Sequence, residues 1–190
     1  TLEYNIHEYD DYDEMLQDLQ NREIDMIFYA SRNPDFAEKQ GYALTNTAWT
    51  YNLMAVTDEK YFNENEAYTV AVPKGKEALK QHIAFSYPQW KLVDYDSLAD
   101  ATDMIMKKTA DCFLMGTSQA MIYDNSRKFK SVPLTKTMEA CFAVRGGAGS
   151  LLSILNKTLK AMPSDMLTSA LDIYDSTADK VTFSDFVKDN

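Results

Sequence analysis

The stretch "YDEMLQDLQNREIDMIFYASRNPDF", residues 12–36, combines a helical pattern, a buried strand pattern and a polar loop. An aspartate, Asp10 or Asp11, is placed to begin the helix, because carboxylates accept hydrogen bonds from the free amides of a first turn. Leu16 and Leu19 recur on one helical face, which is typical of a helix packed on a sheet.

A strand predicted over residues 24–29 leads directly into Ser31, Arg32 and Asn33. These residues supply a hydroxyl, a guanidinium and an amide. Open α/β sheets bind their ligands in the crevice beyond the carboxyl ends of the strands. The sequence therefore predicts a binding loop here, with a solvated surface loop as the alternative.

The same alternation of strands and helices continues along the chain and predicts an α/β fold with mainly parallel sheets and helices on both faces. Further strands are predicted at 1–7, 48–56, 67–72, 90–95, 110–115 and 136–147. Further helices are predicted at 35–39, from Glu77 onward, and at 98–108, 119–128, 149–162 and 164–176. The expected caps are Ser97, Thr117 or Ser118, and Ser150.

Composition restricts the classes of function. The formal charge of −10 disfavours binding to nucleic acid or anionic lipid, because both rely on clustered Lys and Arg. No apolar run reaches the roughly 18–20 residues of a membrane span. Cys112 and Cys141 lie in apolar runs, which favours buried thiols, although a disulfide stays open at this point.

The sequence offers little equipment for catalysis or for a cofactor. Its two histidines, His7 and His82, lie in separate elements, so we expect no metal site. "RGGAGS" (145–150) lacks both the P-loop ending and the dinucleotide-binding spacing, and a tight turn explains it. "PKGK" before a helix could hold an anion through Lys74 and Lys76. We expect a binding protein, with no cofactor and no catalytic residues.

Several segments resemble the family 3 extracellular solute-binding proteins, which have the type 2 periplasmic-binding-protein fold. The similar segments, in order along the chain, are "YDEMLQDLQNREIDMIF" (12–28), "GYALTNTAWTYNLMAV" (41–56), "YTVAVPKGKEAL" (68–79), "SLADATDMIMKKTADCFLM" (97–115) and "CFAVRGGAGSLLSILNKTLKAM" (141–162). The resemblance implies a two-lobed Venus flytrap with a ligand in the cleft. It assigns residues 1–52 to lobe 1, 53–139 to lobe 2, and 140–190 to the return into lobe 1 and the C-terminal helices.

Three departures from the family pattern change the expected ligand. The carboxylate-binding arginine of amino-acid-binding members falls near Asp35–Ala37, and Arg32 lies several residues early. The acidic residue that holds the ligand's amine is replaced by Gly116. We therefore expect a small organic ligand other than an ordinary amino acid. The family's first strand and helix have no counterpart before Thr1. Either the sequence is trimmed at this end, or we expect a rearranged lobe 1 or self-association through an incomplete sheet.

The resemblance leads us to expect an extracytoplasmic sensory domain, periplasmic or at the cell surface, within a membrane-anchored signalling protein such as a histidine kinase or cyclic-dinucleotide enzyme. The alternatives are the binding component of an ABC-type uptake transporter, an enzyme similar to cyclohexadienyl dehydratase, and a vestigial cleft that binds a protein partner. The expected ligand contacts are Tyr29, Ser31, Arg32, Asn46, Thr47 and Trp49 in lobe 1, and Lys74, Lys76, Thr117 and Ser118 in lobe 2.

Overall fold

The computed structural model of this chain describes residues 5–9, 11–124, 128–163 and 166. The helices are α1 (Tyr12–Asn21), α2 (Pro34–Lys39), α3 (Glu77–Ser86), α4 (Leu98–Met106), α5 (Thr117–Asp124) and α6 (Gly149–Ala161). The strands are β1 (Met26–Ser31), β2 (Tyr42–Leu44), β3 (Trp49–Tyr51), β4 (Leu53–Thr57), β5 (Thr69–Pro73), β6 (Lys91–Tyr95), β7 (Cys112–Gly116), β8 (Lys130–Pro133) and β9 (Met138–Arg145).

The first sheet is organised around the long strand β9. Strands β1, β2 and β3 all pair with it in antiparallel fashion. Because β9 enters the sheet close to Met138 and leaves at Arg145, its first residues lie beside β3 and its last beside β2. This arrangement brings residues that are far apart in sequence to one end of the sheet.

The second sheet has the strand order β6-β5-β7-β4-β8. Strand β5 runs parallel to β6 and β7, and the helical crossovers α3 and α4 connect these strands. Strands β7 and β8 each pair antiparallel with β4. The α/β prediction is confirmed. The expectation of mainly parallel sheets does not hold in the described part of the chain, because strands that pass between the two sheets run against their neighbours.

The chain passes between the sheets twice. It leaves the first sheet after β3 and enters the second at β4, with Asn52 between them, and it returns through residues 134–137 into β9. The single strand predicted over 48–56 is therefore two strands that belong to different sheets. The division into lobes at the predicted residue boundaries remains a prediction.

The hydrophobic core falls into three clusters. One covers a face of the first sheet and includes Leu19, Ile27 and Cys141. The other two cover the two faces of the second sheet, one around Ile83 and the other around Phe113. Cys112 and Cys141 are free, buried thiols in different clusters, which confirms the interpretation of both as small core residues.

Local capping explains where several helices begin. Asp11 accepts hydrogen bonds from the backbone N–H groups of Asp13 and Glu14, and Ser97 accepts one from that of Asp100. These two predicted caps are confirmed. The prediction of Ser150 as a cap is wrong, since the N-cap of α6 is Ala148 and it makes no side-chain cap.

Two further predictions differ from the structure or lie outside its described part, and two short strands were not predicted. Residues 5–7 of the predicted first strand are neither helix nor strand, and residues 1–4 are outside the described range. The predicted helix 164–176 also lies outside it except for Met166. The short strands β2 and β8 were not predicted, because three or four residues carry too little periodicity.

The outer side of the first sheet is incompletely covered in the described residues. Strand β1 is at the end of the strand order, paired with β9. Its Phe28 side chain is 59% exposed, although it contacts the rings of Trp49 and Phe142. Helix α6 contributes no buried residue. Self-association through this sheet remains a prediction.

Candidate functional site

The end of the first sheet that adjoins the crossing segments collects most of the residues predicted for lobe 1. Ser31 at the end of β1 and Trp49 at the start of β3 both lie opposite Ala140 of β9. The backbone N–H of Arg32 donates to the carbonyl of Glu139 at 2.9 Å, which extends the β1–β9 pairing by one residue. The polar loop after β1 is therefore held beside the return crossing.

Three side chains at this end form a hydrogen-bonded group, called here the polar triad: Arg32, Thr47 and Glu139. Nη1 of Arg32 lies 3.0 Å from Oε2 of Glu139, and Oγ1 of Thr47 donates to the same oxygen at 2.8 Å. The Arg32 and Glu139 side chains are 46% and 45% exposed. The ion pair is thus open to solvent and within reach of a small molecule.

The charge state of the triad follows from these contacts. The hydrogen bond from Thr47, and then the hydrogen bond and charge of Arg32, lower the pKa of Glu139 below its ordinary value, against a smaller opposing effect of burial. Glu139 therefore stays ionised at neutral pH and balances the charge of Arg32. The Arg32 side chain, although half exposed, is thus paired with Glu139 rather than free in solvent.

Aromatic rings line the region next to the triad. The Trp49 side chain is 5% exposed, and its ring centroid lies 5.4 Å from that of Tyr29. Tyr29 is partly buried and packs against the core cluster of the second sheet that contains Ile83. Helix α3 of the second sheet also lies against β1. The two sheets thus make direct apolar contact at Tyr29.

Gly116, at the end of β7, is covered by a tyrosine. A Cβ atom at this glycine would lie 2.9 Å from Oη of Tyr51 and 3.1 Å from its Cε1. The position at which amino-acid-binding relatives are expected to carry an acidic residue therefore has a phenol ring packed on it. An aspartate there would clash with Tyr51 as this structure stands.

The residues predicted for lobe 2 do not form one group with the triad through any contact in the described part of the chain. Nζ of Lys74 lies 3.3 Å from a carboxylate oxygen of Asp96, and both side chains are largely exposed. Lys76 is the N-cap of α3 and makes no side-chain cap. Because Asp96 offsets the charge of Lys74, the anion site predicted at "PKGK" gains no support.

Thr117 has a structural contact at the outbound crossing. Its Oγ1 donates to the backbone carbonyl of Asn52 at 3.2 Å, so it ties the start of α5 to the segment between the sheets. Thr117 is the first residue of α5 rather than its cap. The side chain of Ser118 lies outside the described part of the structure.

The described long-range contacts of Asn46 run to helix α6 and not to the triad. Its backbone N–H donates to Oδ1 of Asn156 on α6 at 2.7 Å. It lines an open cavity of about 400 Å³ together with Leu152, Ser153 and other α6 residues. The structure thus groups Tyr29, Ser31, Arg32, Thr47 and Trp49 at one sheet end, whereas the neighbouring Asn46 contacts helix α6.

The return crossing is anchored to the second sheet by a cluster of contacts centred on Glu64. This carboxylate accepts hydrogen bonds from the backbone N–H of Thr135 at 2.9 Å, from the Thr135 hydroxyl, and from Oη of Tyr87 at 3.1 Å. Lys136 donates from Nζ to the carbonyl of Ser86, and its ammonium lies 4.8 Å from the centre of the Tyr87 ring. We call this cluster the crossing anchor.

Sequence reasoning missed two residues of the candidate site, Glu139 and Tyr51. A lone carboxylate within the apolar run "MEACFAV" was the available signal for Glu139, since strand residues beside a binding site often break apolar alternation. No local signal identifies Tyr51, because its importance depends on Gly116, which is distant in sequence.

Other site types find no support within the described residues. No group of three or more His, Cys, Asp or Glu side chains there is arranged to hold a metal ion. No helix in these ranges is both long and apolar enough to cross a membrane. His82 is partly buried, and its Nε2 has no hydrogen-bond partner in this part of the structure.

Comparison with known proteins identifies the fold to which this structure belongs. A scan against protein-family models finds no match, and a search of curated proteins finds none. Among solved structures, the periplasmic VFT2 domain of Bordetella pertussis BvgS is similar at 25% identity and a TM-score of 0.57, over 83% of this chain and 70% of that one. The chain has the type 2 periplasmic-binding-protein fold.

Two structures of lower sequence identity also share this fold. The substrate-binding protein of an amino acid ABC transporter is 16% identical with a TM-score of 0.58, over 87% of this chain and 75% of its own. An ancestral amino-acid-binding protein, a precursor of cyclohexadienyl dehydratase, is 19% identical with a TM-score of 0.54, over 80% of this chain and 68% of its own. The match to the whole BvgS periplasmic domain covers 83% of this chain and 32% of that one.

Proposed function

We propose that this flytrap chain is an extracytoplasmic sensory domain of a membrane-bound signalling protein and that it binds a small molecule between its two lobes. The observation that carries the proposal is the polar triad, a half-exposed Arg32–Glu139 pair at the end of the first sheet, next to the crossings. Ligand sites in open α/β folds occupy this position. The similarity to a BvgS periplasmic domain supports the sensory role.

The signal would be a change in the relative position of the lobes. A ligand that contacts both lobes favours the closed arrangement by its difference in affinity for the two states. Tyr29 already contacts the second sheet, so it is suited to report that change. Binding is favoured over catalysis, because the triad lacks a histidine or nucleophile pair and the solved relatives described above are mainly binding or sensor proteins.

A screen of the purified chain for thermal stabilisation by small metabolites tests the proposal. At a hundredfold excess over Kd a ligand adds about 2.7 kcal/mol to the free energy of unfolding. For a chain of this size the melting temperature then rises by roughly 5–10 °C. The Arg32→Gln variant should lose this shift while it keeps the same melting temperature without ligand to within about 1–2 °C.

A second candidate function is a vestigial cleft that binds a protein partner. It is favoured by Tyr51, whose ring covers Gly116, and by Tyr29, which packs into the second sheet's core. Both rings take up space that a ligand between the lobes would need. If no metabolite in the library raises the melting temperature of a sample that unfolds cooperatively, this result supports the second function over the first.

The size and the location of the mature protein in cells distinguish the uptake-transporter role from the sensory role. The similarity to the substrate-binding protein of an amino acid ABC transporter is the reason to test the uptake role. Immunoblotting with an antibody against this chain measures the mass of the protein that carries it. A mass well above 21.6 kDa, in the membrane fraction, supports a receptor, whereas a free or lipid-anchored protein near that mass supports uptake.

A further inference from the structure

The proposed ligand site already contains an anion of its own. Glu139 places Oε2 at 3.0 Å from the Arg32 guanidinium and at 2.8 Å from the Thr47 hydroxyl. A guanidinium and a hydroxyl that converge on one carboxylate oxygen form the arrangement by which proteins hold the carboxylate of a bound molecule. Glu139 thus occupies the place that the carboxylate of a ligand would take.

Backbone pairing holds Glu139 in this position. Its carbonyl accepts from the Arg32 N–H at 2.9 Å, and Glu139 lies opposite Thr50 in the β3–β9 register. The partners of its carboxylate are therefore supplied by two flanking segments that the sheet aligns. A carboxylate that is part of the same chain competes with a dissolved one at a high effective concentration.

Repulsion adds to this competition. A free carboxylate that approached Arg32 would also approach the ionised Glu139, and like charges at hydrogen-bonding distances oppose each other even where solvent screens them. A neutral ligand meets no such repulsion. A zwitterion can give its anion to Arg32 and its cation to Glu139, so that every charge stays paired.

We propose that Glu139 determines the specificity of this site, as an internal counter-anion that excludes simple carboxylates and admits small molecules without net negative charge. The inference rests on the proposed function, since it concerns the same site. This selection against free anions is separate from the one against ordinary amino acids, which the departures from the family pattern predict.

The test measures the binding of sodium acetate and sodium succinate by isothermal titration, at constant ionic strength, to the wild-type chain and to Glu139→Gln. Glutamine keeps the length of the side chain and an oxygen for Thr47, but it removes the charge. We expect Glu139→Gln to bind either anion at least tenfold more tightly than the wild type does. The double variant Arg32→Gln/Glu139→Gln should lose that gain.

The matched control is Glu59→Gln. Glu59 also forms an exposed ion pair, with Nζ of Lys108 at 3.2 Å, and its side chain is 47% exposed. The substitution makes the same change in net charge away from the triad. An equal gain in acetate binding by this control would show a general charge effect and would overturn the proposal.

A measurement on the wild type covers the case in which Glu139→Gln does not fold. The side-chain ¹⁵N signals of Arg32, assigned by comparison with Arg32→Lys, should not move on addition of acetate at millimolar concentration. Movement that saturates in this range would overturn the proposal. These measurements need no native ligand. The metabolite screen can therefore fail while the carboxylate-binding test of Glu139 succeeds, and the carboxylate-binding test can fail while the screen succeeds.

Discussion

The two sheets of this molecule differ in how completely they are buried. The second sheet has a hydrophobic cluster on each face, with Ile83 in one and Phe113 in the other, both 0% exposed. Among the residues that the structure describes, the first sheet has one cluster, while Phe28 on its other side is 59% exposed. Within the described residues the second sheet is therefore the more completely buried, so we expect its substitutions to cost more stability, whereas the first sheet presents the candidate site.

The largest effect is expected from a change in the well-buried sheet. Ile83→Ala in α3 removes a side chain that is 0% exposed, and we expect a loss of about 2–5 kcal/mol in the free energy of unfolding, because a cavity replaces buried methyl groups. Urea denaturation followed by circular dichroism measures it.

Ile154→Ala is the matched control for this prediction. It makes the same substitution on helix α6, where the side chain is 59% exposed. We expect a change within about 0.5 kcal/mol. Equal losses from the two variants would contradict the contrast between the sheets.

A smaller loss is expected where the two sheets meet, at Gly116. Gly116→Ala adds a Cβ atom 2.9 Å from Oη of Tyr51, and the ring must move, at a cost of about 1–3 kcal/mol. The double variant Gly116→Ala/Tyr51→Phe removes the closest atom and should recover part of the loss. If the two substitutions add without coupling, Tyr51 does not cover Gly116 in solution.

The uncovered surface of the first sheet gives a prediction about association rather than stability. We expect the wild-type chain to self-associate as its concentration rises, and Phe28→Ser to weaken this, since it removes an exposed ring beside the β1 edge. Sedimentation velocity at several concentrations measures the effect. A wild-type chain that stays monomeric throughout would show that this surface is not a self-association site.

The smallest effect concerns pH. Burial lowers the pKa of His82 below its ordinary value of 6.5. A hydrogen bond with the Lys136 backbone opposes this shift, and the charge of Lys136 adds to it. The folded chain therefore binds fewer protons than the unfolded chain just below pH 6.5. This contribution to stability is complete above about pH 6.5 and declines as the pH falls.

His82→Gln should flatten that part of the stability profile, measured by urea denaturation at intervals between about pH 5 and 7.5. His7 is exposed and outside every helix and strand, so His7→Gln serves as the control and should leave the slope unchanged. A wild-type slope that persists in His82→Gln would assign the proton uptake to other groups.

Local chemistry explains which features were predictable from sequence. The caps at Asp11 and Ser97 depend on residues within three positions, and both were predicted correctly. The break at Asn52 was missed, because the apolar pattern continues through it while the chain changes sheets. Ser150 satisfied the composition of a cap, yet the helix begins one residue earlier, at Gly149.

The candidate site was predictable only in part, for a related reason. The family resemblance led to Tyr29, Ser31, Arg32, Thr47 and Trp49 as expected ligand contacts, which remain predictions, and the structure brings them to one sheet end. Their relation to Glu139 depends on the β9 register, which no short stretch of sequence specifies. The family resemblance supplied the fold, whereas the partners of individual side chains required the structure.

The crossing anchor makes the two connections between the sheets unequal. The return segment is fastened to the second sheet through Glu64, Tyr87 and Lys136, while the outbound segment has the Thr117 hydroxyl on Asn52. Because Tyr51 pairs with Met138, the two crossings lie side by side, and a rotation of one sheet against the other would pivot at Asn52 and Thr137 together. The triad contains Glu139, two residues beyond Thr137, so it would lie beside this pivot and would move less than residues at the far ends of the sheets.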